Sequence, residues 1–93
     1  MRTLSVQLKH INMTKILFFA GLREELGTAS IDLQLDASMS AEALRQVLSE
    51  KDVNWQAILK RDVLVAINHT LSDLQDIVQP GDEVAFFPPV TGG

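Results

Sequence analysis

Hydrophobic and polar positions change period several times along the chain, and each change marks an element. Leu4, Val6 and Leu8 alternate with Thr3, Ser5, Gln7 and Lys9, a period of two that suits an edge strand. A complete domain can nonetheless be drawn from Met13 onward, so residues 1–12 are expected to be a dispensable extension. Lys15-Ile16-Leu17-Phe18-Phe19-Ala20 is apolar on both faces and predicts a central strand. Gly21 to Gly27 reads as a polar turn segment that can hold one helical turn ending at Gly27. Ile31, Leu33 and Leu35 alternate with Asp32 and Gln34, a strand hairpinned to the first.

The period then becomes helical. Ala41, Leu44, Val47 and Leu48 form a stripe behind Ser40, whose hydroxyl suits an N-cap. Trp55, Ile58 and Leu59 suggest a second, short helix. Val63 to Asn68 is rich in β-branched residues and predicts a strand. Asn68-His69 should turn into a short return strand at Thr70-Leu71. Leu74, Ile77 and Val78 fall in a compact loop, and Pro80-Gly81 suits the centre of a type II turn. Glu83 to Phe87 is the last strand. The expected fold is α+β: a small mixed sheet with one main helix across one face. First and last strands should be parallel neighbours in its centre, since both are apolar on two faces.

A single helix covers one face only, so strand parity selects the apolar residues left over. If Ile16, Phe18, Val84 and Phe86 face the helix, then Leu17, Phe19, Ala85 and Phe87 face away, and Leu71 joins them. Each large side chain left in water forgoes roughly 1.5–3 kcal/mol of burial. A patch of Phe19, Leu71 and Phe87 therefore marks a protein interface.

Beyond Phe87 the chain ends in Pro88-Pro89-Val90-Thr91-Gly92-Gly93. The prolines block further sheet pairing and hold the chain extended. The glycines make a tip slender enough for a narrow slot. Six extended residues reach up to roughly 20 Å. The domain division is therefore 1–12 extension, 13–87 folded domain and 88–93 flexible tail.

Composition narrows the chemistry. The chain has 93 residues, a net charge of −4 and no cysteine. The acidic balance argues against nucleic acid as partner. Without cysteine there is no disulfide, thiolate nucleophile or Cys metal site. His10 and His69 have no partner at ligand spacing and are expected to be surface residues, so no metal site is expected. No apolar run approaches a membrane span, and Arg2, Gln7, Lys9 and His10 break any signal-peptide core. The cytoplasm is the expected compartment. No Ser/His/Asp set or phosphate-cradling glycine loop stands out. What remains is the α-carboxylate of Gly93, which is charged at neutral pH and reacts only when activated, typically as an acyl-adenylate. Sulfide attack on such an adenylate gives a thiocarboxylate.

The stretch Gly81-Asp82-Glu83-Val84-Ala85-Phe86-Phe87-Pro88-Pro89-Val90-Thr91-Gly92-Gly93 resembles the C-terminus of the small, sulfur-carrying subunits of molybdopterin synthase. Ile16 to Ala20 with Leu22-Arg23-Glu24, Ala43-Leu44-Arg45, and Ala66-Ile67-Asn68 with Thr70-Leu71 match the family in order. The resemblance covers Met13 to Gly93 and implies a ubiquitin-like β-grasp. It implies that an E1-like enzyme uses ATP to adenylate Gly93, which becomes a thiocarboxylate, with no cofactor bound by this chain. Val90, Thr91 and Gly92, with Pro89, would enter the large catalytic subunit. There sulfur would pass to cyclic pyranopterin monophosphate, building the molybdopterin dithiolene. The large subunit supplies the catalytic lysines. Phe19, Leu71 and Phe87 match the family's partner-facing positions, and the implied assembly is a heterotetramer. Residues 1–12 have no counterpart in the pattern, and Gly21 stands where a larger residue is expected. The rival expectations are a carrier for another product such as thiazole, a ubiquitin-like modifier of lysines, and an interaction module with an inert tail.

Overall fold

The computed structural model describes residues 13–89. Strand β1 (Met13–Phe18) leads into helix α1 (Ala20–Leu26), then β2 (Ser30–Gln34) and the two-residue β3 (Met39–Ser40). Helix α2 (Ala41–Ser49) follows, then a 3-10 turn (Val53–Gln56) continuous with α3 (Ala57–Lys60). Strands β4 (Leu64–Ile67), β5 (Thr70–Ser72), the two-residue β6 (Ile77–Val78) and β7 (Glu83–Phe87) complete the chain. The main sheet has the order β2-β1-β7-β4-β5, and β3 pairs with β6 in a separate two-stranded ladder. First and last strands are parallel neighbours, with Lys15 opposite Glu83 and Phe18 opposite Phe86. The expected α+β architecture is present.

Local chemistry explains the element ends. The Ser40 hydroxyl accepts a hydrogen bond from the Ala43 amide at 3.0 Å, relieving one free N–H of the first turn. Asp52 does the same for Asn54 at 2.9 Å before the 3-10 turn. Asn68 and His69 both have positive φ, 51° and 71°, the backbone of a tight hairpin turn between β4 and β5. Gly81 has φ 95°, and the Asp82 amide donates to the Gln79 carbonyl at 3.0 Å, closing the turn before β7. The Gly81 amide also donates to the buried Thr14 hydroxyl at 3.1 Å. That bond ties the start of β1 to the turn before β7 and helps set their parallel register.

The segment after β1 departs from the expected turn. It is a seven-residue helix that buries Leu22 and Leu26 and ends on Gly27 at φ 78°. The Gly27 amide donates to the Arg23 carbonyl at 2.9 Å, a left-handed C-cap. The i, i+4 spacing of the two leucines drives it, although the intervening Arg23-Glu24-Glu25 is polar. The layer over the sheet thus has three helical pieces. Its core joins Phe18 and Phe86 from the sheet to Leu22, Leu44, Leu48 and Ile58. Trp55 meets Phe18 edge-on at 5.4 Å, a favoured aromatic geometry.

Candidate functional site

Residues opposite one another in adjacent strands share a face, so the register sorts the sheet into rows. Ile31, Ile16, Val84 and Ile67 form one row, and Phe18, Phe86 and Val65 another. These point into the helical layer. Every fully buried side chain of the five-stranded sheet has this parity: Thr14, Ile16, Phe18, Val65, Val84 and Phe86. The intervening rows point the other way. Leu17, Ala85, Ala66 and Leu71 lie in register across four strands, and Phe87 lies opposite Leu64. None of these six is buried.

The bare face has two halves. Near the start of β1 it is polar and charged, with Asp32, Lys15 and Glu83 in one row. Near the end of β7 it is apolar. Leu71 is 68% exposed and Leu64 37%. Phe19, 46% exposed, lies beyond the last paired residue of β1, in the extended position that starts α1. Its amide donates to the Phe86 carbonyl at 3.2 Å, which carries the β1–β7 pairing one residue further. The chain thus leaves the sheet from its central strand at the apolar end. Pro88 is half-buried there and Pro89 exposed.

This arrangement places the three residues selected by parity. Leu71 and Phe87 lie in the bare-face rows, and Phe19 is exposed at the same end of the sheet. Sequence reasoning missed Leu64 and Ala66. Both follow from Val65, whose burial forces its neighbours to the opposite face, but a strand apolar at every position does not announce which parity is inward. Val90, Thr91, Gly92 and Gly93 lie outside the described residues, as does His10. His69 is exposed, with its Nε2 at 3.1 Å from a Glu83 carboxylate oxygen, at the end of the sheet away from the tail. At Gly21 a Cβ would stand 3.4 Å from Nη1 of Arg61, an ordinary contact with the end of a flexible side chain, so the helix has room for a larger residue there. Arg61 reaches across from the loop before β4 to pair with Glu25 at 3.0 Å.

The ThiS family model matches residues 16–93. A molybdopterin synthase sulfur carrier subunit from Haemophilus influenzae is 50% identical over 82 residues, covering 87% of this chain and 100% of the relative. This chain belongs to the ThiS family, among its molybdopterin synthase sulfur carrier subunits. Solved structures give the fold independently. SAMP1 from Haloferax volcanii superposes with a TM-score of 0.71 at 22% identity, covering 87% of this chain and 99% of that one. The ubiquitin-like β-grasp is therefore the fold of this chain. A complex of subunits 1 and 2 of molybdopterin-converting factor from Helicobacter pylori contains a chain with a TM-score of 0.60 at 26% identity, covering 87% and 99%.

Proposed function

We propose that this chain carries sulfur on the α-carboxylate of Gly93 and hands it on within molybdopterin synthase. The observation behind the reading is the register that puts Phe87, the last residue of the central strand, on the apolar bare face. The tail therefore starts inside the surface that docks. Leu17, Leu64, Leu71 and Phe87, with Phe19 beside them, seat the domain on the large catalytic subunit, and Pro89 to Gly93 extend into that subunit. A carrier that is docked and aimed raises the effective concentration of its reacting group at the acceptor.

The chemistry divides between proteins. An E1-like enzyme joins the Gly93 carboxylate to the α-phosphate of ATP and releases pyrophosphate. A sulfide equivalent attacks the acyl carbon and expels AMP, leaving a thiocarboxylate. That sulfur then enters cyclic pyranopterin monophosphate on the large subunit, and water returns an oxygen to the glycine carbon. Gly93 has no side chain to crowd the acyl carbon. ATP is bound by the activating enzyme and not by this chain, the assembly is a heterotetramer of two small and two large subunits, and the reaction runs in the cytoplasm.

The test is intact-mass measurement after incubation with the activating enzyme, ATP and a sulfur source. The expected product is heavier by one oxygen-to-sulfur exchange at the C-terminus. A mass that never changes overturns the carrier role. Thiazole formation from the loaded chain, or its appearance in lysine conjugates, would redirect the carrier to one of the rival pathways.

A further inference from the structure

Ala20 makes the corner between β1 and α1 with φ 55°, a left-handed backbone that a residue with a Cβ adopts only at a cost. Asn68 shares that backbone at φ 51°, but two hydrogen bonds of its own side chain hold it there. Ala20 has no side-chain group that could do the same. Glycine, which adopts such a turn freely, stands one position later at Gly21 and takes no positive φ. Strained backbone persists only where its surroundings fix it, and it collects at working sites. We infer that Ala20 is a positioning residue for docking. Its left-handed turn ends β1 just past Phe18 and so holds Phe19 in the docking surface, at the rung where the tail leaves.

The hydrogen bonds on either side of Ala20 carry this. The Lys15 amide donates to the Asp82 carbonyl at 3.1 Å, and the Phe19 amide to the Phe86 carbonyl at 3.2 Å; these are two rungs of one parallel ladder. By the same alternation the next donor is the amide of residue 88, toward the Phe19 carbonyl. Residue 88 is proline and has no N–H. The Phe19 carbonyl accepts from the Arg23 amide instead, at 3.3 Å. Pro88 and the turn at Ala20 thus end the ladder from both strands at one level. Phe19 itself is extended, with φ −123° and ψ 156°, which keeps its side chain on the bare side. One step beyond Phe18 and Phe86, the register sets Phe19 beside Phe87, itself opposite Leu64. An extended Ala20 would carry the chain on along Pro88. The left-handed turn sends it to the covered face, where Leu22 is fully buried.

The inference rests on the docking role proposed above, and its test separates the two. Ala20→Val and Ala20→Gly are each made with Phe19 present and with Phe19→Ala. Binding is read by titration of the large subunit, and the Phe19 rung by amide hydrogen exchange. A β-branched residue resists positive φ and glycine does not. Valine should therefore speed exchange at Phe19 and weaken binding, each about tenfold, while glycine leaves both within about threefold. With Phe19→Ala, the valine change should cost less than about twofold, because it acts through Phe19. An equal cost in both backgrounds overturns the inference, as does a glycine variant that behaves like valine. If the valine variant does not fold, a chain synthesised with D-alanine at position 20 decides. It favours positive φ as its mirror image favours negative φ, so binding should be undiminished; weaker binding overturns the inference. If Phe19→Ala binds as well as the unaltered chain, the part given to Phe19 and Ala20 is wrong while docking stands. If the unaltered chain does not bind the large subunit, the docking role fails and the inference fails with it.

Discussion

The two faces of the central sheet are built from the same strands, often from adjacent residues, yet they meet different constraints. Val84 and Phe86 are fully buried under the helical layer. Ala85 and Phe87, one residue along, are half-buried on the bare side. The covered face is closed by Leu22, Leu44, Leu48 and Ile58 from three helical pieces. The bare face leaves Leu64 and Leu71 in water, at the end of the sheet where the tail departs. Hydrophobicity alone does not distinguish the faces. Among the described residues, the difference is whether helices close over the face, and so whether a side chain holds the fold or stays open to a partner.

Perturbations that separate those roles fall in a definite order. The largest effect is deletion of Gly93. It should abolish sulfur loading by the activating enzyme in a mass assay while the thermal midpoint is unchanged; residual loading would place the carrier group elsewhere. Phe86→Ala comes next. It should cost about 3–5 kcal/mol in denaturant unfolding, because it removes a buried ring that stacks on Phe18 and leaves a cavity. A loss under about 1 kcal/mol would mean that the covered face is less closely packed than its burial implies.

Asn68→Ala should be intermediate, at about 1–3 kcal/mol. Its Oδ1 accepts from the Glu83 amide at 3.0 Å, its Nδ2 donates to Asp82 at 3.0 Å, and its backbone holds φ 51°. An unfolding curve that superposes on that of the unaltered chain would show that the hairpin turn does not depend on this side chain. Leu71→Ser should be smallest in stability, within about 0.5 kcal/mol, yet should weaken binding of the large subunit. An equal loss in both measurements would move Leu71 into the core and break the contrast between faces.

Much of this contrast was legible in the sequence. Alternation at Ile31, Leu33 and Leu35, the helical stripe behind Ser40, and the parity of Phe18 against Phe19 follow from side-chain periods alone. The parallel pairing of β1 with β7 followed from both being apolar on two faces. Helix α1 was underestimated because Leu22 and Leu26 are separated by charged residues, and burial that only the tertiary fold supplies decides their conformation. The β3–β6 ladder was invisible, since two-residue bridges carry no periodicity. Leu64 and Ala66 were hidden by a strand with no polar residue to reveal its inward side.

Phe87→Asp is the sharpest test, because Phe87 adjoins the fully buried Phe86 and is also the last strand residue before the tail. The decisive measurement is denaturant unfolding of this variant, paired with titration of the large subunit. The account predicts an unfolding midpoint close to that of the unaltered chain and a loss of binding of tenfold or more, about 1.4 kcal/mol at the least. A variant that unfolds, or one that binds the large subunit undiminished, would contradict it.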